Sequence, residues 1–148
     1  MGGPSTPRWT HVALPAGDLD ASLAWYQRFT PLVLLDRRDD PDGQAAWLSH
    51  EGQVDHPFVL VLVMLFRDQG RLQPMLAPFA HLGIEVPTRD EVVAVAERAR
   101  AEGCLVTEPI DLPPPVGFIC ALSDPDGNVV EISHGQGVYD RVQEVWGP

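Results

Sequence analysis

Hydrophobic and polar positions follow the same order in two stretches of the chain, RWTHVALPAGDLDASLAWYQRF (8–29) and PFAHLGIEVPTRDEVVAVAERA (78–99). Each stretch opens with a short apolar alternation that contains one histidine and is typical of a β-strand. Each continues with apolar residues at helical spacing, after a residue that can cap a helix, Asp18 in the first and Thr88 in the second. The pattern therefore predicts two copies of a strand followed by a helix.

The ends of both helices are marked in the sequence. Glu91 lies three residues after Thr88, so the second helix is expected to begin with a capping box. Pro31 should end the first helix, and Gly103 should close the second as its C-cap.

Three short strand-like runs follow each helix. Gly and Pro separate several of them, in the turns DPDG (40–43), LPPPVG (112–117) and DPDG (124–127). Both halves are thus predicted to be βαβββ modules of an α+β fold. The predicted strands are 32–36, 45–49 and 58–64 in the first half, and 104–108, 118–123 and 128–133 in the second.

The repeat also predicts the domain organisation. The first module covers 8–66, a linker 67–78, the second module 79–134 and a C-terminal tail 135–148. Together they would form one domain. Because neither half is long enough to bury both faces of its sheet, the halves should pack on each other or on a second copy of the chain.

Net charge, cysteine content and the length of the apolar runs argue against a nucleic-acid-binding, disulfide-rich, secreted or membrane-spanning protein. The 148 residues have a formal net charge of -11, which disfavours binding to nucleic acid or to an anionic membrane. Two cysteines without a CxxC motif suggest thiols in a reducing compartment. The start MGGPSTPRW has no apolar signal region, and the longest apolar run, PFVLVLVMLF (57–66), is about half the ~20 residues that cross a bilayer. These features predict a soluble cytoplasmic protein.

One charged residue interrupts the last predicted strand. Glu131 stands between Val130 and Ile132, and an ionised carboxylate is costly to bury unless a cation pairs with it. A bound metal ion would be one such cation.

The motifs DLDASLAWYQRF, HLGIEV and SDPDGNVVEI, arranged in paired βαβββ modules, resemble the vicinal oxygen chelate superfamily. That superfamily includes glyoxalase, fosfomycin- and bleomycin-resistance proteins, and extradiol dioxygenases. The resemblance covers about residues 8–134. It implies that the two modules form a curved, barrel-like cleft of mixed sheet with flanking helices, that the cleft holds a divalent metal, and that the protein is a homodimer.

The resemblance also implies the metal ligands. His11 falls on the first-strand ligand, His81 on the fifth-strand ligand and Glu131 on the eighth-strand ligand. Two imidazoles and one carboxylate suit Ni, Co, Zn, Mn or Fe and leave positions open for chemistry. Glyoxalases carry a fourth ligand, a Glu, on strand four, a position that falls at about Val63 here. Three protein ligands are therefore expected, unless His50, Glu51 or His56 replaces the missing one.

The function implied is that of a metal-dependent, glyoxalase-like lyase or isomerase, whose small substrate chelates the metal through adjacent oxygens. Glu131 would then be both ligand and catalytic base. One alternative is an extradiol-type dioxygenase with Fe(II), although its usual Tyr, ten residues before the glutamate, is Ala121 here. Assignment to the fosfomycin-resistance proteins is disfavoured, because the loop IDLPPPVG (110–117) has no basic side chain to bind a phosphonate. Another alternative is a metal-free protein that binds and sequesters a small molecule.

Overall fold

The computed structural model describes residues 4–148, and these form two compact units. The first unit ends at Gln73 and the second begins at Pro74. Each unit contains one four-stranded sheet.

The first unit has the predicted βαβββ order. Its elements are β1 (His11–Pro15), α1 (Leu19–Phe29), β2 (Val33–Asp40), β3 (Gly43–Ser49) and β4 (Val59–Leu65), followed by a 3-10 turn at Phe66–Asp68. The strands lie in the order β1-β4-β3-β2. β1 pairs with β4 in parallel, and the other neighbours are antiparallel.

The second unit repeats this plan and adds a helix. Its elements are β5 (His81–Glu85), α2 (Arg89–Ala101), β6 (Leu105–Leu112), β7 (Gly117–Ser123), β8 (Val129–His134) and α3 (Val138–Trp146). The strand order is β5-β8-β7-β6, with β5 and β8 parallel. The α+β prediction of two βαβββ modules is confirmed. Within residues 4–148, however, the strands form two separate sheets that are not closed into a barrel.

Each sheet carries a helix on one face. In β4 the alternate residues Leu60, Leu62 and Met64 are buried on the side where α1 packs, whereas Val61 and Val63 are half-buried on the opposite side. We call the side away from the helix the open face of each sheet.

The second unit follows the same rule. Val130 and Ile132 of β8 are buried on the side of α2, where the Sγ of Cys120 also lies 3.8 Å from the carbonyl oxygen of Val92. Glu131 lies between the two buried residues along the strand, so its side chain belongs to the open face. The apolar neighbours of Glu131, Val130 and Ile132, therefore face α2, on the opposite side of the sheet.

The helix signals in the sequence operate nearly as predicted. Asp18 accepts a hydrogen bond from the N–H of Ala21, and Thr88 and Glu91 form the capping box. α2 is capped by Glu102, one residue earlier than predicted, because Gly103 takes the left-handed conformation just beyond the helix, with φ of 75°.

Two features differ from the sequence prediction. Several strands are longer than predicted; β2 reaches Asp40, and β6 reaches Leu112. The segment predicted as a C-terminal tail contains α3, none of whose residues is buried. No helix within residues 4–148 is both long and apolar enough to span a membrane.

Candidate metal centre

Two of the three predicted ligands meet on the open face of the second sheet. His81 is the first residue of β5, and the parallel pairing of β5 with β8 places Gly83 opposite Glu131. The Nε2 atom of His81 lies 3.5 Å from Oε2 of Glu131. The Glu131 side chain is 12% exposed and that of His81 is 35% exposed, so the carboxylate is largely withdrawn from water while the imidazole remains accessible.

The other ring nitrogen of His81 indicates which tautomer the neutral imidazole adopts. Nδ1 lies 2.6 Å from the carbonyl oxygen of Phe79. A carbonyl only accepts hydrogen bonds, so Nδ1 must carry the proton and donate. In the neutral ring, Nε2 then presents a lone pair toward the carboxylate. Two acceptors that face each other at this distance repel, unless a proton or a metal cation lies between them.

The second oxygen of Glu131 is also held. Nε2 of Gln136 donates a hydrogen bond of 2.9 Å to Oε1 of Glu131, and the same amide lies 3.4 Å from the carbonyl oxygen of Val116. Sequence reasoning missed Gln136. Its only signal is its position just past the end of β8, where a returning chain can reach the strand's side chains.

His11 lies in the first unit, on the equivalent strand. It begins β1 and lines a pocket of about 400 Å³ on the open face of the first sheet, together with Arg38, Trp47 and Val61. Its Nδ1 is 2.8 Å from Oγ1 of Thr10. Within residues 4–148, no three or more His, Cys, Asp or Glu side chains form a group that could hold a metal ion. The three-residue ligand set therefore stays a prediction.

Strand register corrects the position of the missing fourth ligand. Glu131 pairs with Gly83, which lies two residues after His81. In the first unit, Ala13 lies two residues after His11, and Ala13 pairs with Val61. Val61, rather than Val63, is thus the counterpart of Glu131 in the first unit. Both valines are half-buried on the open face, so a carboxylate is absent at either position. His50, Glu51 and His56 lie in the segment between β3 and β4.

Ala121 of β7 pairs directly with Glu131. The small side chain of Ala121 thus occupies the position where the extradiol dioxygenase pattern has a Tyr.

Comparison with known proteins gives relatives over nearly the whole chain. An uncharacterized protein of Pseudomonas aeruginosa is 38% identical over 132 residues, which cover 88% of this chain and 91% of the relative. A lactoylglutathione lyase of Neisseria meningitidis is 28% identical over 136 residues, covering 91% of this chain and 96% of the lyase.

The solved structures agree with the sequence relatives. A glyoxylase/bleomycin resistance protein/dioxygenase domain from a Frankia species superposes with a TM-score of 0.67 and 25% identity, covering 92% of this chain and 99% of that domain. The sequence also matches the profile of one family over residues 8–132, which span the strands and helices of both βαβββ modules. The chain belongs to the Glyoxalase/Bleomycin resistance protein/Dioxygenase superfamily, the group with the vicinal oxygen chelate fold.

Proposed function

We propose that the protein is a metal-dependent lyase or isomerase of the glyoxalase type, acting on a small substrate with two adjacent oxygen atoms. The observation that carries the proposal is the facing pair on the second sheet, Nε2 of His81 and Oε2 of Glu131, 3.5 Å apart. With the ring neutral, both are electron-pair donors, and a divalent cation bound by both would replace their repulsion by ligation.

The surroundings of the pair fit a metal. Ligating histidines usually donate their second ring N–H to a carbonyl or carboxylate, as His81 does to Phe79, and ligating carboxylates are themselves hydrogen-bonded, as Glu131 is to Gln136. His11, His81 and Glu131 would hold the ion, in the class Ni, Co, Zn, Mn or Fe. When bound, such an ion acts as a Lewis acid that polarises a substrate carbonyl and acidifies the adjacent C–H.

Glu131 is the base in this proposal. Its Oε1 is held by Gln136, while Oε2 faces Nε2 of His81, whose side chain is 35% exposed. A carboxylate in this position can take the proton from the carbon beside the carbonyl and return it to the neighbouring carbon. The backbone of β5 opposite Glu131 is uncovered, since a Cβ added to Gly83 would meet no atom within 4 Å.

The relatives support a lyase over the alternatives. The similarity to lactoylglutathione lyase extends over 96% of that protein, which makes a hemithioacetal of a 2-oxoaldehyde and a thiol the first substrate to test. Ring cleavage with Fe(II) is the second candidate, but Ala121 stands opposite Glu131 where a Tyr would be expected. We propose in addition that the protein works as a homodimer.

The metal site is tested by changing His81 to Ala. The variant should lose most of the metal that the wild type binds, because one of only three protein ligands is removed. Metal content is measured by elemental analysis after dialysis against a divalent ion. His134→Ala is the matched control, since that ring lies on the other side of β8, with Nδ1 3.3 Å from the carbonyl oxygen of Val86.

The same measurement separates the candidate functions. Stoichiometric Ni, Co or Zn with turnover of the hemithioacetal supports the lyase, and iron with a catechol-type activity supports the dioxygenase. Wild-type protein that takes up no metal, or a His81→Ala variant with unchanged metal content, would overturn the proposed site.

A further inference from the structure

We infer that Gln136 is a positioning residue that holds the carboxylate of Glu131 in the orientation needed for metal binding and proton transfer. The inference rests on the proposed function. It assigns a role to a residue outside the predicted ligand set, in the loop between β8 and α3.

The loop brings Gln136 back toward the strand it has just left. Gly135, directly after β8, has φ of 70°, a left-handed conformation that glycine adopts at little cost. The next residue but one, Gly137, donates its N–H to the carbonyl oxygen of Pro115 at 2.8 Å. The Gln136 side chain can therefore reach Glu131, five residues earlier.

Backbone packing keeps this loop in place. A Cβ added to Gly117 would lie 2.7 Å from the carbonyl oxygen of His134 and 2.8 Å from that of Gly135. The start of β7 and the exit from β8 thus approach closely, and only glycine at position 117 permits it. Val116, whose carbonyl oxygen lies 3.4 Å from the Gln136 amide, directly precedes Gly117 at this close approach.

The amide constrains the carboxylate without changing its charge. A glutamate side chain can rotate about three bonds, so an unheld carboxylate at this site would spend much of its time in orientations that do not face His81. The 2.9 Å hydrogen bond holds Oε1 and leaves Oε2 directed at Nε2 of His81. An Arg or Lys in place of Gln136 would also hold Oε1, but its positive charge would oppose a dication.

The test compares Gln136→Met with Gln143→Met. Methionine keeps the length of glutamine but removes the amide, and Gln143 is an exposed glutamine on α3 that serves as the matched control. Affinity for Zn²⁺ is measured by calorimetric titration of the full chain, and the visible absorption spectrum of the Co²⁺ form reports ligand geometry. Gln136→Met should bind Zn²⁺ roughly 10- to 100-fold more weakly, the usual effect of losing a group that orients a ligand, with a changed Co²⁺ spectrum.

The outcomes are distinct. If Gln136→Met has a lower melting temperature but wild-type Zn²⁺ affinity and Co²⁺ spectrum, the residue only anchors the loop and the inference is wrong. Gln136→Asn, which shortens the arm, should weaken Zn²⁺ binding as well, and it serves if the Met variant does not fold. If the wild type itself binds neither ion, the proposed function fails first, and the role of Gln136 with it.

Discussion

Glu131 shows what a single residue reveals before a structure is known. In the sequence it looks like a charge in an apolar strand, and His81, which is predicted to be a ligand of the same metal, lies 3.5 Å away. That inference needed only the family pattern and the cost of burying a carboxylate. Gln136 could not be found in the same way, because its contact depends on a glycine turn and on the close approach of two loops, which no periodic pattern records.

The two cysteines differ in their surroundings, and this yields a prediction. Burial, together with the negative charges of Glu131 and Glu108, raises the pKa of the Cys120 thiol to about 11, whereas Cys104 is only half-buried. At pH 8 about one Cys120 in a thousand would be a thiolate, and the thiolate is the form that alkylates. We expect iodoacetamide at pH 8 to modify Cys104 first and to modify Cys120 only after unfolding.

Peptide mass spectrometry after timed alkylation measures both sites. Because the thiolate fraction rises with pH below the pKa, any reaction at Cys120 in the folded protein should become faster between pH 8 and pH 9. Modification of Cys120 as quickly as Cys104 in folded protein would show that its surroundings are more open than described.

The elements were predictable where their signals are local. Caps, turns and alternation predicted both βαβββ modules, since each of these signals acts over a few neighbouring residues. α3 was missed although Val138, Val142 and Val145 have helical spacing, because the family pattern ends at β8 and no residue of the helix is buried. The fourth-ligand position was counted along the chain to about Val63, whereas the strand register makes Val61 the equivalent of Glu131.

That register makes a prediction about Val61. In the second sheet the same pairing brings Glu131 to 3.5 Å from His81, so Val61→Glu should place a carboxylate beside His11. If His11 is a ligand, the added carboxylate should raise Zn²⁺ affinity by roughly tenfold or more, which corresponds to ~1.4 kcal/mol. Calorimetric titration measures this change.

Two neighbouring positions serve as controls for Val61. Val63→Glu lies on the same open face but two residues further along β4, opposite Pro15 rather than Ala13, and it should have a smaller effect. Leu62→Glu puts a charge on the buried side of β4 and should destabilise the fold by several kcal/mol in a denaturant titration. A gain in affinity with Val63→Glu and none with Val61→Glu would contradict the register argument.

For the whole molecule, the repeat in the sequence was sufficient to predict two similar units, because the four strands of each module pair with one another in a separate sheet. The position of His11 relative to the His81–Glu131 pair is a different kind of question. It depends on assembly of the modules, either within one chain or between two copies, and local sequence signals do not encode it.

The proposed homodimer gives the last prediction, and charge determines its conditions. Each unit has a helix against one face of its sheet, and α3 exposes Tyr139 and Trp146, so apolar surface remains for association. Each copy also carries a formal charge of -11, so two copies repel one another until salt screens them. We expect light scattering at micromolar concentration to give about 32 kDa, twice the 16.2 kDa of one chain, with dissociation favoured at low salt. A mass of 16.2 kDa at both low and physiological ionic strength would count against the dimer, and any metal centre would then have to be built within a single chain.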